Sequence, residues 1–194
     1  MAAAKTMTKR SLILLVLSGE LLLAGIALFW ISFRDLPLQV GSDGWCQNVV
    51  SGVCTAGLLA LCNYGLLWWA PPIRVVRVIR QLYRQTLRPL VADIGPLDVV
   101  VIAAAAGIGE ELMFRGALQP EIGLVPSSLI FGLLHMDGRG TLAFGCWVTL
   151  MGIGLGWLAI LTQGLLAPTI AHGVYDAAAL IYLRWGPEGS PMKD

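Results

Sequence analysis

Charge is what this sequence has least of. Of its 194 residues only 13% are Asp, Glu, Lys or Arg, where a soluble domain carries about 25%. Hydrophobic residues make up 57%, so the composition excludes an ordinary soluble domain and fits an integral membrane protein. A net charge of +1 gives no whole-chain attraction for nucleic acid. Cysteine is sparse: Cys46, Cys54, Cys62 and Cys146 form no CxxC pair, and they read as small apolar packers rather than metal ligands or an essential disulfide. GxSxG and HExxH are both absent, and no internal repeat or low-complexity tract interrupts the chain.

What is present is a series of apolar runs. Ser11 to Phe33 is long enough to cross a hydrocarbon core of about 30 Å. It follows Lys5, Lys9 and Arg10, but exceeds the apolar run of a signal peptide and lacks an A-x-A cleavage site, so it is expected to stay as a first span. A short loop from Arg34 to Trp45 leads to a second, from about Gln47 to Ala70, stopped by Pro71 and Pro72. Then IRVVRVIRQLYRQTLRPL spaces Arg74, Arg77, Arg80, Arg84 and Arg88 three or four apart with aliphatic residues between them. That pattern predicts a basic amphipathic helix on a membrane surface, its five arginines facing anionic lipid headgroups.

Four further helices are expected at about Pro96 to Leu118, Pro126 to Asp137, Thr141 to Leu161 and Gly164 to Trp185. The second of these is short for a span. The fold class is therefore all-α: a polytopic membrane protein of about six transmembrane helices plus the surface helix. Residues 1–95 form a two-span region with the amphipathic helix, and 96–194 a helical core, in one integrated membrane domain. Alternating spans place Lys5, Lys9, Arg10, the five helix arginines, Arg139, Arg184 and Lys193 on one side, with Arg34 alone in a loop on the other. The positive-inside rule makes both termini cytoplasmic.

Ionisable residues within a span cost about 2.5 to 3.5 kcal/mol each on insertion scales and mark function or pairing. In the second half these are Glu110, Glu111, Arg115, His135, His172 and Asp176, and they include both histidines of the protein. Glu111 and Arg115, four apart, share a helix face, while Glu110 points about 100° away. His172 and Asp176 also share a face, and Pro168 one turn earlier is expected to loosen the helix and free a carbonyl. Counted from the non-cytoplasmic helix ends, Glu110, His135 and His172 lie at one level, about 12 to 16 Å deep. A carboxylate and an imidazole around a water make a general base, and a second imidazole can donate to an oxyanion. Glu20, in the first span, has no assigned task; its expected partner is Asn63 of the second span or another polar site.

EELMFR (Glu110 to Arg115), FGLLH (Phe131 to His135) and HGVYD (His172 to Asp176) occur in that order. They resemble the EExxxR, FxxxH and HxxxN/D motifs of the CPBP family, the CAAX proteases and bacteriocin-processing enzymes that include the CAAX prenyl endopeptidase. The resemblance spans roughly the C-terminal half. It implies a glutamate-type intramembrane protease in which Glu110, helped by His135, activates water. His172 and residue 176 would stabilise the oxyanion, with Glu111 and Arg115 organising the site. Asp176 stands where many relatives have asparagine, and an ionised aspartate cannot donate a hydrogen bond, so it either stays protonated or orients His172.

The resulting expectation is an intramembrane endopeptidase without a cofactor, acting near the membrane end of a membrane-anchored substrate, such as a C-terminal tail or sorting tag. Its expected location is a bacterial cytoplasmic membrane. Two alternatives stay open: a zinc-dependent hydrolase using Glu110, His135 and His172 as ligands, and a proton or ion pathway or non-catalytic immunity protein built on the same buried charges.

Overall fold

The computed structural model describes residues 8–41, 44–136 and 141–187. Lys5, Asp137, Arg139 and Lys193, which enter the topology expected above, lie outside the described residues. Among the described residues every regular element is helical. The protein is an all-α membrane protein.

α1 (Lys9–Phe33) and α2 (Trp45–Trp68) come first. Thr8 starts α1 by accepting the N–H of Ser11 at 3.2 Å, an N-terminal cap of the usual Thr type. The surface helix follows as α3 (Arg74–Leu82), a π-helical stretch (Tyr83–Leu87) and the single turn α4 (Arg88–Leu90). A long rod comes next: α5 (Pro96–Glu111), a second π-helical stretch (Leu112–Leu118) and α6 (Gln119–Ile122), unbroken in its helical backbone. α7 (Leu124–Leu134), α8 (Leu142–Thr162) and α9 (Leu166–Trp185) complete the chain.

α1, α2, α8 and α9 are each long and apolar enough to cross a membrane. The Pro96 rod has comparable reach. α7, with 11 residues, is only about 16 Å long at 1.5 Å per residue, half of a hydrocarbon core. It is separated from α6 by Gly123, whose φ of +89° is a value that glycine adopts without steric cost.

Two ion pairs at opposite ends set α1 parallel to the rod. Lys9 Nζ lies 2.6 Å from Asp98 Oδ2, and Arg34 grips Glu121 with two bonds of 3.0 and 3.1 Å. Asp98 also accepts the N–H of Gly95 at 2.7 Å, capping the rod's start. α2 runs beside α9, with the Trp68 indole donating to the Tyr182 hydroxyl at 2.7 Å and Gly52 lying against Ala167. α7 packs on α8 through Gly132, where a Cβ would strike Thr149 and the Gly145 carbonyl.

The structure corrects the reading of the surface helix. Arg80 does not face lipid: it is buried, and it donates to the carbonyls of Ala70 at 2.8 Å and Leu66 at 3.4 Å. Those carbonyls lie at the end of α2, where helical backbone lacks internal donors. Arg88 likewise donates to Gly186 and Pro187 at the end of α9. Arg74, Arg77 and Arg84 keep exposed positions. Asn63 is not the partner of Glu20 either; its amide bonds with the Tyr83 hydroxyl at 3.1 Å. Pro168 is the third residue of α9, where no intrahelical partner is lost, so it begins that helix rather than loosening it.

Candidate active site

Glu110 and Glu111 sit at the last turn of α5, where the backbone passes into the π-helical stretch. Such wide turns re-aim side chains and recur at functional sites. Glu111 is fully buried. Its Oε1 accepts from the Arg115 guanidinium at 2.7 Å and from His172 Nδ1 at 2.8 Å. The other arm of Arg115 donates to the Gly152 carbonyl at 2.9 Å, and the guanidinium lies 4.8 Å from the Phe131 ring centroid. Gly152 leaves the room for this: a Cβ there would meet Phe131 at 3.1 Å and Arg115 at 3.5 Å.

Glu110 points into a different space. Its Oε1 is 3.9 Å from His135 Nε2, and its Oε2 is 3.5 Å from His172 Nε2. Both gaps exceed a direct hydrogen bond, and Oε2 is buried without a hydrogen-bond partner. His135 is not inside a helix as expected but caps α7. Its Nδ1 lies 2.8 Å from the Phe131 carbonyl. A carbonyl only accepts, so Nδ1 carries the hydrogen, and in the neutral ring Nε2 keeps its lone pair towards Glu110.

The same reasoning orients His172. Its Nδ1 faces Glu111, and its Nε2 stands 3.5 Å from both Glu110 Oε2 and Asp176 Oδ2. A proton on Nε2 makes both of those contacts attractive. Phe131 packs against both imidazoles, with ring centroids 4.7 Å from His135 and 6.0 Å from His172. All six residues singled out in the sequence therefore meet in one cluster. His135, His172 and Asp176 also line a cavity of about 200 Å³.

Three further neighbours join the site, and the sequence marks only the first of them. Glu20 of α1 lies against Gly109, where a Cβ would meet its carboxylate at 2.5 Å and its carbonyl at 2.9 Å. Its Oε2 is buried without a hydrogen-bond partner. A lone acid in an apolar run signals such a site, but not which partner it has. Tyr83 and Tyr175 line the same cavity, and nothing in their spacing marks them. Among the described residues no group of three or more His, Cys, Asp or Glu side chains is placed to hold a metal ion.

Residues 93–178 match the family model of type II CAAX prenyl endopeptidase Rce1-like proteins. That segment is similar to Rce1-like proteins. The chain is also 32% identical over 87 residues to the uncharacterized protein YpbD of Bacillus subtilis (strain 168), covering 45% of this chain and 46% of that protein. The chain thus matches about half the length of this curated relative. No solved structure matches it. The Rce1-like segment contains the whole Glu110, Glu111, Arg115, His135, His172, Asp176 cluster, while Glu20 and Tyr83 lie outside it.

Proposed function

We propose that the protein is an intramembrane endopeptidase of CAAX-protease type. The observation that carries this reading is the convergence of Glu110 with His135 Nε2 at 3.9 Å and His172 Nε2 at 3.5 Å, from three separate helical elements. Glu110 and the His135 lone pair are two acceptors facing one gap. A water in that gap donates to both, which directs its oxygen lone pair outward at a substrate carbonyl.

As the water oxygen bonds to the carbonyl carbon, its proton passes to Glu110 and the carbonyl becomes an oxyanion. Protonated His172, steered by Glu111, donates to that oxyanion from Nε2; one such donor is worth about 10²- to 10³-fold in rate. Collapse breaks the C–N bond, and Glu110 returns its proton to the leaving amine. Arg115 neutralises Glu111 and does not touch substrate. Asp176 Oδ2, 3.5 Å from Nε2, helps hold the imidazole in place.

The substrate is a membrane-anchored protein cut near the membrane end of its C-terminal tail, and the enzyme resides in a bacterial cytoplasmic membrane with both termini cytoplasmic. Arg74, Arg77 and Arg84, on the exposed face of the surface helix, bind anionic lipid. The test is quantitative analysis of protein termini in native membranes carrying wild type or Glu110→Ala at equal level. A defined set of uncut precursors is expected with the variant. If none accumulates although the variant is inserted and folded, catalysis by Glu110 is refuted.

A further inference from the structure

The cavity that holds His135, His172 and Asp176 has an apolar remainder, and part of its wall comes from the surface helix: Tyr83 and Leu87 line it together with Phe144, Met151 and Leu183. From this juxtaposition we infer that Leu87, held in place through Tyr83, sets the size of the substrate side chain accepted beside the scissile bond. The inference rests on the catalytic reading above. It goes beyond it because both residues lie outside the Rce1-like segment.

Volume defines the ligand. At about 200 Å³ the cavity is smaller than the 300 to 1,000 Å³ of sites for whole small molecules, and its lining away from the imidazoles is aliphatic and aromatic. One apolar side chain fits that description. With His135 and His172 in the same lining, that side chain belongs to a residue flanking the cut bond.

A wall discriminates by size only if it cannot yield, and this one is pinned at several points. Tyr83 and Leu87 are the first and last residues of the π-helical stretch. The Tyr83 hydroxyl accepts from the Asn63 amide at 3.1 Å and also shares a hydrogen bond with Tyr175. Just upstream Arg80 is bonded to the end of α2, and just downstream Arg88 reaches the Gly186 carbonyl at 2.6 Å. Thus α2 and α9, which flank the site, both hold the surface helix against it. A rigid apolar pocket separates ligands differing by one methylene by about 10- to 200-fold.

The experiment uses the precursor that accumulates with Glu110→Ala, its residues flanking the cut changed in turn to Val, Leu, Phe and Trp, and the full-length enzyme in lipid nanodiscs. Leu87→Ala is expected to raise the Phe-over-Val ratio of kcat/KM about tenfold at one flanking position, and Leu87→Phe to lower it by a similar factor. Leu90→Ala, an exposed position on the same helix, leaves the ratio unchanged. Should Leu87→Ala fail to fold, Leu87→Val and Leu87→Phe carry the comparison. A ratio that stays constant, or that moves equally with Leu90→Ala, overturns the wall and leaves the catalytic reading intact. If Glu110→Ala accumulates no precursor, both fall.

Discussion

His172 Nδ1 and Glu111 Oε1 meet at 2.8 Å across 61 residues of sequence. The same oxygen takes the Arg115 guanidinium at 2.7 Å, so two adjacent glutamates have unlike surroundings. Glu111 is bonded and buried; Glu110 faces two imidazoles over open gaps.

Arg115→Met and Glu110→Gln are therefore expected to act on different properties. Removing Arg115 leaves a buried carboxylate without its cation and the Gly152 carbonyl without its donor, a change that costs about 3 to 5 kcal/mol. A lowered thermal midpoint and poor yield follow. Glu110→Gln keeps shape and breaks no hydrogen bond, so the midpoint stays while cleavage of the precursor is lost. Thermal melts of both variants in the same detergent check this, and equal destabilisation by the two would contradict it.

Glu111→Gln tests the orienting role. The amide keeps the volume and, with its carbonyl oxygen in the place of Oε1, both bonds, but it removes the negative charge that faces His172 Nδ1 and the Arg115 guanidinium. In the comparable loss of an orienting carboxylate behind a catalytic imidazole, kcat falls by about 10⁴. A fall in kcat of at least 10² with little change in KM is expected here, measured on the precursor substrate. A change confined to KM would place Glu111 in substrate binding instead.

The parts of this arrangement that were legible in the sequence are local ones. Glu111 and Arg115 are four apart in a helix, and that spacing alone places them on one face. The apolar runs give the helices because a bilayer requires internally satisfied backbone over a fixed length. Contacts between helices carry no such period. The sharing of Glu111 by Arg115 and His172, the packing of Glu20 on Gly109, and the approach of Tyr83 to the cavity depend on how helices are rotated and on where glycine permits close passage. Arg80 shows the same limit from the opposite side. Its spacing puts it on the basic stripe with Arg77 and Arg84, yet the unsatisfied carbonyls of Leu66 and Ala70 draw it inward, and hydropathy does not record where another helix ends.

Arg80 and Arg74 consequently differ in what they support. Arg80→Gln removes a charged donor from the end of α2 and is expected to cost about 1 to 3 kcal/mol of stability. Arg74→Gln, on the exposed face, should leave stability within about 0.5 kcal/mol but weaken retention of anionic lipid by about 1 kcal/mol, near fivefold. Thermal melts, and native mass spectrometry comparing phosphatidylglycerol with phosphatidylcholine, separate the two effects. Equal lipid loss in both variants would return Arg80 to the membrane face.

Tyr83 gives the fold a pH dependence of definite sign. Burial raises its phenol above the usual value of 10, and the Asn63 hydrogen bond opposes that shift only in part. The folded protein then keeps the phenolic proton at pH values where the unfolded chain has released it, so the unfolded state binds fewer protons and stability falls as pH rises. Tyr83's contribution is complete below about pH 10, the unfolded phenol value, and is lost as pH climbs from there through the raised folded value. Melting curves between pH 8 and pH 11.5 should therefore steepen in their decline above about pH 10 in wild type and decline less in Tyr83→Phe. Because Tyr83→Phe also frees Asn63 from its partner, the variant starts from a lower midpoint at pH 8, and it is the slope rather than the starting value that reports the phenol. Identical slopes in the two proteins would mean that Tyr83 loses its proton at the same pH whether folded or not, which burial against Asn63 does not allow.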